Sequence, residues 1–108
     1  MTPVKFSPEA VKDLQEIQSY IAIELFSQQE AVRTVFKILN GIRSLSSFPE
    51  LGTPLSAVLS FDTVYRHLVC GNYTAFYRAE PDAVYVVRIL YGRRDFMRIL
   101  FGEPTEEN

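Results

Sequence analysis

The chain reads as an α+β domain of order β-α-α-β-β-β-(short α), an N-terminal αα-hairpin packed on a small antiparallel sheet. Three observations predict it. Apolar residues recur at helical spacing as far as Leu45. Beyond Asp62 the pattern turns to β-branched and aromatic runs parted by short turns. Between the halves lie Pro49, Gly52 and Pro54, which no helix or central strand tolerates together.

Val4-Lys5-Phe6 is a short first strand. Ser7 then caps a helix, Pro8 takes its first position, where no N–H is needed, and Glu9 favours the positive end of the helix dipole. Val11, Leu14, Ile17 and Ile21 form its apolar stripe, with Ala10 and Tyr20 flanking, and the helix is expected to end near Leu25. Ser27-Gln28-Gln29-Glu30 is a capping box, with Ser27 as N-cap and Glu30 reaching back. The second helix should bury Val32, Val35, Phe36, Leu39, Ile42 and Leu45, completing an αα-hairpin. A structured loop runs from Phe48 to about Asp62. Strands are expected over 64–69, 73–79 and 83–91, with turns at 70–72 and 80–82. Gly92 is a backbone requirement after the last strand, and Asp95 caps a short helix over 96–101. The domain is expected to span 1–102, with an acidic, flexible tail over 103–108.

A chain of 108 residues suffices for one hydrophobic core, and 47% apolar residues argue against disorder. The formal charge of −2 argues against a general nucleic-acid binder, which is usually strongly basic. Cys70 is the only cysteine, so neither an internal disulfide nor a thiolate metal cluster is available, as suits a reducing compartment. Apolar runs fall far short of the ~20 residues that cross a bilayer, so a cytoplasmic protein is expected. No metal or cofactor is expected: His67 is the single histidine, and neither GxxxxGK[ST] nor GxGxxG occurs.

From Tyr65 to Arg98 the chain carries Arg66, Arg78, Arg88, Arg93, Arg94 and Arg98 but no lysine, among Tyr65, Tyr73, Phe76, Tyr77, Tyr85 and Tyr91. Guanidinium groups grip carboxylates and phosphates bidentately and stack on aromatic rings, so this reads as a recognition surface built on strands. Arg88 lies inside the most apolar strand and needs a carboxylate, for which Asp13, Glu16 or Asp95 would serve. Tyr73, Ala75 and Tyr77 alternate onto one face, by default the core. Cys70, in a turn without a nearby base, is no nucleophile.

The segments Phe6 to Leu14, Phe48 to Gly52, Tyr65 to Val69, Asn72 to Arg78 and Val87 to Asp95, in this order and spacing, resemble the RelE/ParE superfamily of toxins from type II toxin–antitoxin modules over roughly Val4 to Gly102. That resemblance implies a growth inhibitor neutralised by a cognate ParD/RelB-like antitoxin, a toxin–antitoxin hetero-oligomer and a role in plasmid stabilisation. It leaves two activities open. RelE-like toxins cut mRNA on the ribosome, whereas ParE-like toxins inhibit DNA gyrase and are not nucleases. In the RelE pattern Arg94 matches the post-strand arginine and Arg66 one basic strand residue, but Thr74 stands where an arginine is expected and no C-terminal tyrosine follows. A nuclease here would rely on Arg66, His67, Tyr91 and Arg94. The Gly92-Arg93-Arg94-Asp95 ending and the strand Gly71 to Arg78 match the ParE branch more closely. A toxin fold with a decayed or different activity is the third reading. The contacts implied for target or antitoxin are Arg66, Tyr73, Tyr77, Arg78, Arg93, Arg94, Arg98, Leu100 and Phe101, with Ile23, Leu25, Phe26 and Ile99 as further apolar anchors.

Overall fold

The computed structural model describes residues 1–102, so the expected acidic tail lies outside the described residues. The elements are β1 (Val4–Phe6), α1 (Pro8–Ser19), a π-helical turn (Tyr20–Glu24), α2 (Gln28–Arg43), β2 (Thr53–Pro54), β3 (Tyr65–Cys70), β4 (Tyr73–Ala79), β5 (Val84–Tyr91) and α3 (Phe96–Phe101), with 3₁₀ turns after α2 and β2. The α+β class and the helical hairpin are as the sequence implies. The sheet, however, has five strands in the order β1-β5-β4-β3-β2, and it is mixed: β1 runs parallel to β5. A three-residue strand does not encode its partner, and Thr53–Pro54, expected as loop, pairs with Arg66 and His67 at the edge, where a proline is tolerated.

Ser7 makes the first corner. Its hydroxyl accepts from the Ala10 N–H at 3.0 Å and donates to the Val87 carbonyl at 2.8 Å. The cap of α1 is therefore also its attachment to the sheet. Ser27 caps α2 by accepting from the Glu30 N–H at 3.1 Å, but the reciprocal half of the capping box is absent. The Ser27 N–H already donates to the Ile21 carbonyl at 3.3 Å, and Glu30 turns to Arg33 instead. That bond spans one residue more than the usual helix-ending bond because the last turn is π-helical, and it holds Phe26 at φ 53°.

The buried stripe of α2 keeps the expected Ile42 and Leu45 but is otherwise rotated. Ala31, Ile38 and Ile42, followed by Leu45, are buried, whereas Val32 and Phe36 are exposed. The helix has apolar residues on two adjoining faces, and the one bearing small Ala31 permits close approach to α1 and the sheet. These residues join Ala10, Ile17 and Ile21 over Ala75, Tyr77, Val84, Val86 and Ile89. Each fully buried aliphatic side chain stabilises by roughly 1.5–3 kcal/mol. The β3–β4 turn is Gly71-Asn72, with Gly71 at φ 66°, the residue and sign that a two-residue hairpin favours at its first position. No helix among the described residues is long and apolar enough to cross a membrane.

Candidate functional site

β5 pairs with β1 only over Val84–Val86, so its edge from Val87 onward lacks a strand neighbour. Side chains from α1 and its cap replace one. Ser7 takes the Val87 carbonyl, and the Asp13 carboxylate accepts the Ile89 N–H at 2.9 Å. Across β4, Phe76 pairs with Arg88 but Tyr77 with Val86, leaving Val87 as the extra residue of a bulge. Bulges re-aim side chains, and here Arg88 reaches round to Asp13 with two bonds of 2.8 and 2.9 Å. That bonding holds the guanidinium even more firmly protonated than usual. Arg88 thus serves the fold.

Arg66 and Tyr77 are spent in the same way. The fully buried Tyr77 hydroxyl accepts the Gly52 N–H at 2.8 Å, and Arg66 donates to the Gly52 carbonyl at 2.8 Å and the Glu50 carbonyl at 3.2 Å. A Cβ on Gly52 would lie 2.6 Å from the His67 carbonyl oxygen and 2.7 Å from the Tyr77 hydroxyl. The loop before β2 is clamped onto the sheet by these contacts, so Tyr77 is a core residue and offers no surface to a partner. Arg66 is half-buried, with one terminal nitrogen of its guanidinium held by both carbonyls.

Between α1, the π turn and α2 on one side and the ends of β4 and β5 with α3 on the other runs an open groove of about 1430 Å³. Tyr20, Tyr73 and Tyr91 line it; the last two meet edge to face at 5.5 Å, and Arg94 lies over the Tyr91 ring at 5.5 Å. Burial, then the nearby Tyr91 and Tyr20 hydroxyls, push the Tyr73 hydroxyl's pKa up, so all it offers near neutrality is a hydroxyl. Arg33 pairs with Glu30 and Arg98 with Asp95, while Lys37 and Arg94 have no carboxylate partner among the described residues. Along the hairpin Ile23, Leu25, Phe26, Val32 and Phe36 stand exposed, Leu25 and Phe36 in the wall of the groove and Phe26 exposed by 91%. Lone exposed apolar residues are ordinary; here five fall on one hairpin.

The opposite sheet face carries Tyr65, His67 and Val69 of β3 with Thr74, Phe76 and Arg78 of β4. α3 crosses it: Phe96 stacks on Phe76 at 5.6 Å, and Phe101 meets Phe61 and Tyr65 edge-on at 5.5 and 5.7 Å. Phe101 is therefore a packing residue, and Leu100 beside it is half-buried, so neither stands free as an anchor. Asp95 starts α3 without capping it. At φ 53° its carboxylate makes no bond to the helix N–H groups and pairs with Arg98 one turn on at 3.1 Å. Gly92 has φ 59°, as its position after the strand requires. Arg78 lies over the Tyr85 ring at 4.8 Å and pairs with Glu80 at 3.2 Å.

Of the residues expected at a site, the groove gathers Leu25, Tyr73, Tyr91, Arg94, Arg98 and Ile99. It does not gather Arg66, Tyr77, Arg78 or His67. Tyr20, Lys37 and Phe36 belong to the groove and were not foreseen. Tyr20 flanks the apolar stripe of α1, and only the π turn, which no spacing rule announces, brings it beside Tyr73.

A helical hairpin on a mixed sheet with a long open groove between them defines a small α+β domain. The sequence model described as "ParE toxin of type II toxin-antitoxin system, parDE" matches residues 4–96, and the chain belongs to that family. A solved structure titled "Chromosomal ParDE TA system from P. aeruginosa" superposes with a TM-score of 0.69 at 19% identity, covering 84% of this chain and 96% of that one. No curated protein sequence matches significantly.

Proposed function

We propose that this chain is the growth-inhibiting toxin of a type II module, that a cognate antitoxin neutralises it by occupying the hairpin groove, and that its target is DNA gyrase. Membership of the ParE family supports the first part. The groove supports the second. An amphipathic segment would lay apolar residues on Ile23, Leu25 and Phe36 and direct acidic side chains to Lys37 and Arg94, the two cations there without a partner among the described residues. Such a toxin would act in the cytoplasm and could maintain a plasmid.

One observation carries the choice of gyrase over mRNA. Cleavage through a ribose 2′-hydroxyl needs a base, an acid and positive charge converging on one phosphate. Of the four residues a nuclease would rely on, Arg66 is bound to the Glu50 and Gly52 carbonyls, Tyr91 and Arg94 share the hairpin groove, and His67 lines the opposite cavity, which Tyr91 reaches but Arg94 and Arg66 do not. A protein–protein mechanism needs no such convergence: the toxin would hold gyrase in its cleaved-DNA state. Inducible expression without antitoxin, sampled within minutes by pulse labelling, tests this. Early loss of DNA synthesis with an SOS response is expected. Early loss of protein synthesis would assign the ribosome instead, and unimpaired growth would assign a decayed toxin.

A further inference from the structure

On the face opposite the hairpin, a second cavity of about 570 Å³ opens between the ends of β3, β4 and β5. Its polar side chains are His67, Asn72, Thr74, Tyr91 and Arg93, and no carboxylate lines it. That is unusual in a chain of net charge −2, and the larger groove by contrast carries Asp13, Glu16, Glu30 and Asp95. Arg93 has no carboxylate partner among the described residues. The His67 Nδ1 is covered and without a hydrogen-bond partner. A buried polar atom left unpaired costs about 1–3 kcal/mol, and because the Nδ1 is closed off by protein, the ring can meet a ligand in the cavity only through its other nitrogen.

We propose that this cavity is an oxyanion site for a phosphate group, held by the Arg93 guanidinium with His67, Thr74 and Asn72 as further donors. Those donors arrive from three directions: His67 from β3, Asn72 and Thr74 from the turn and β4, and Arg93 from beyond β5. A tetrahedral group with several acceptor oxygens uses donors so disposed better than a planar carboxylate does. His67 is kept neutral at pH 7, its pKa lowered by burial and then by Arg93. A bound phosphate would offset the Arg93 charge and favour the imidazolium, so binding takes up a proton. Asn72 and Tyr91 line both this cavity and the hairpin groove, whereas His67, Thr74 and Arg93 line this one and not the groove.

Because His67 is the only histidine, its ring gives one NMR titration curve. Titrating the full chain in sodium phosphate and in sodium chloride of matched ionic strength should give a higher His67 midpoint in phosphate. Arg93→Gln should abolish that difference and weaken phosphate binding at least tenfold, about the worth of a charged hydrogen bond. Arg43→Gln, at an exposed arginine on α2 that does not line the cavity, should leave it intact. Repeating the titration with a mononucleotide and with a short DNA duplex separates the sources: tighter binding of the duplex assigns a nucleic-acid backbone, and the reverse assigns a terminal phosphate. Equal midpoints under all ligands, or a phosphate effect that survives Arg93→Gln, would overturn the site.

Discussion

Asp13 and Arg88, 75 positions apart, are joined by two parallel hydrogen bonds, and the same carboxylate takes the Ile89 N–H. One side chain therefore ties α1 to the sheet and closes the strand edge where β1 stops. Asp13→Ala should destabilise by about 3 kcal/mol in chemical denaturation, because it orphans a backbone N–H and a guanidinium together. Arg88→Met alone should cost less, since its side chain is 28% exposed and Asp13 keeps the Ile89 bond. In Asp13→Ala/Arg88→Met the loss should be smaller than the sum of the two, as no unpaired charge remains.

Tyr77 should behave as a structural residue. Tyr77→Phe leaves the Gly52 N–H unsatisfied in a buried position and should cost about 1–3 kcal/mol. Gly52→Ala should cost at least as much, because the new methyl meets backbone at the His67 carbonyl as well as the Tyr77 ring. Both variants should unfold at lower denaturant concentration yet bind antitoxin with unchanged affinity below their melting range. An affinity loss in Tyr77→Phe with unchanged stability would return Tyr77 to the interface.

The elements were legible because their signals are local. Ser7-Pro8, Ser27 and Gly71-Asn72 each fix a cap or turn from a few residues, and each stands where its chemistry requires. What was illegible depends on partners distant in sequence. Nothing in Val4-Lys5-Phe6 names β5 as its neighbour, and nothing in Asp95 foretells a left-handed backbone that spoils it as a cap. At the site the arginine-rich run was visible, but its division was not. Alternation along β3 sends Arg66 and His67 to opposite faces, and the Pro49–Gly52 loop then consumes Arg66. Phe36 was misplaced because α2 has two apolar faces, and periodicity cannot say which is inward.

His67 imposes a pH dependence whose sign follows from its lowered pKa. The unfolded chain binds a proton near the ordinary imidazole value of 6.5, whereas the folded chain resists protonation until lower pH. Between these values the unfolded state holds more protons, so stability rises with pH there and is complete above 6.5. Denaturation midpoints should fall as pH drops through this window, and His67→Gln should remove that component while leaving any acid-range loss from carboxylates. A window unchanged in His67→Gln would mean that another group sets it.

Phe26 sets stability against binding. It sits at φ 53° with 91% of its surface exposed, a conformation that costs a bulky residue about 1–2 kcal/mol and suits glycine. With almost no contact to lose, Phe26→Gly should stabilise the free toxin by about 0.5–1 kcal/mol once the greater entropy of an unfolded glycine is offset. If the antitoxin covers the hairpin, the same change should weaken the complex by about 2 kcal/mol, roughly thirtyfold in Kd, as for an aromatic anchor at an interface. Calorimetric titration of antitoxin against Phe26→Gly, with Phe36→Ser as a second exposed aromatic, measures this directly. A stabilised toxin that binds antitoxin as tightly as before would place the antitoxin away from the hairpin tip. A toxin that gains no stability would mean that contacts of the Phe26 ring offset the backbone cost.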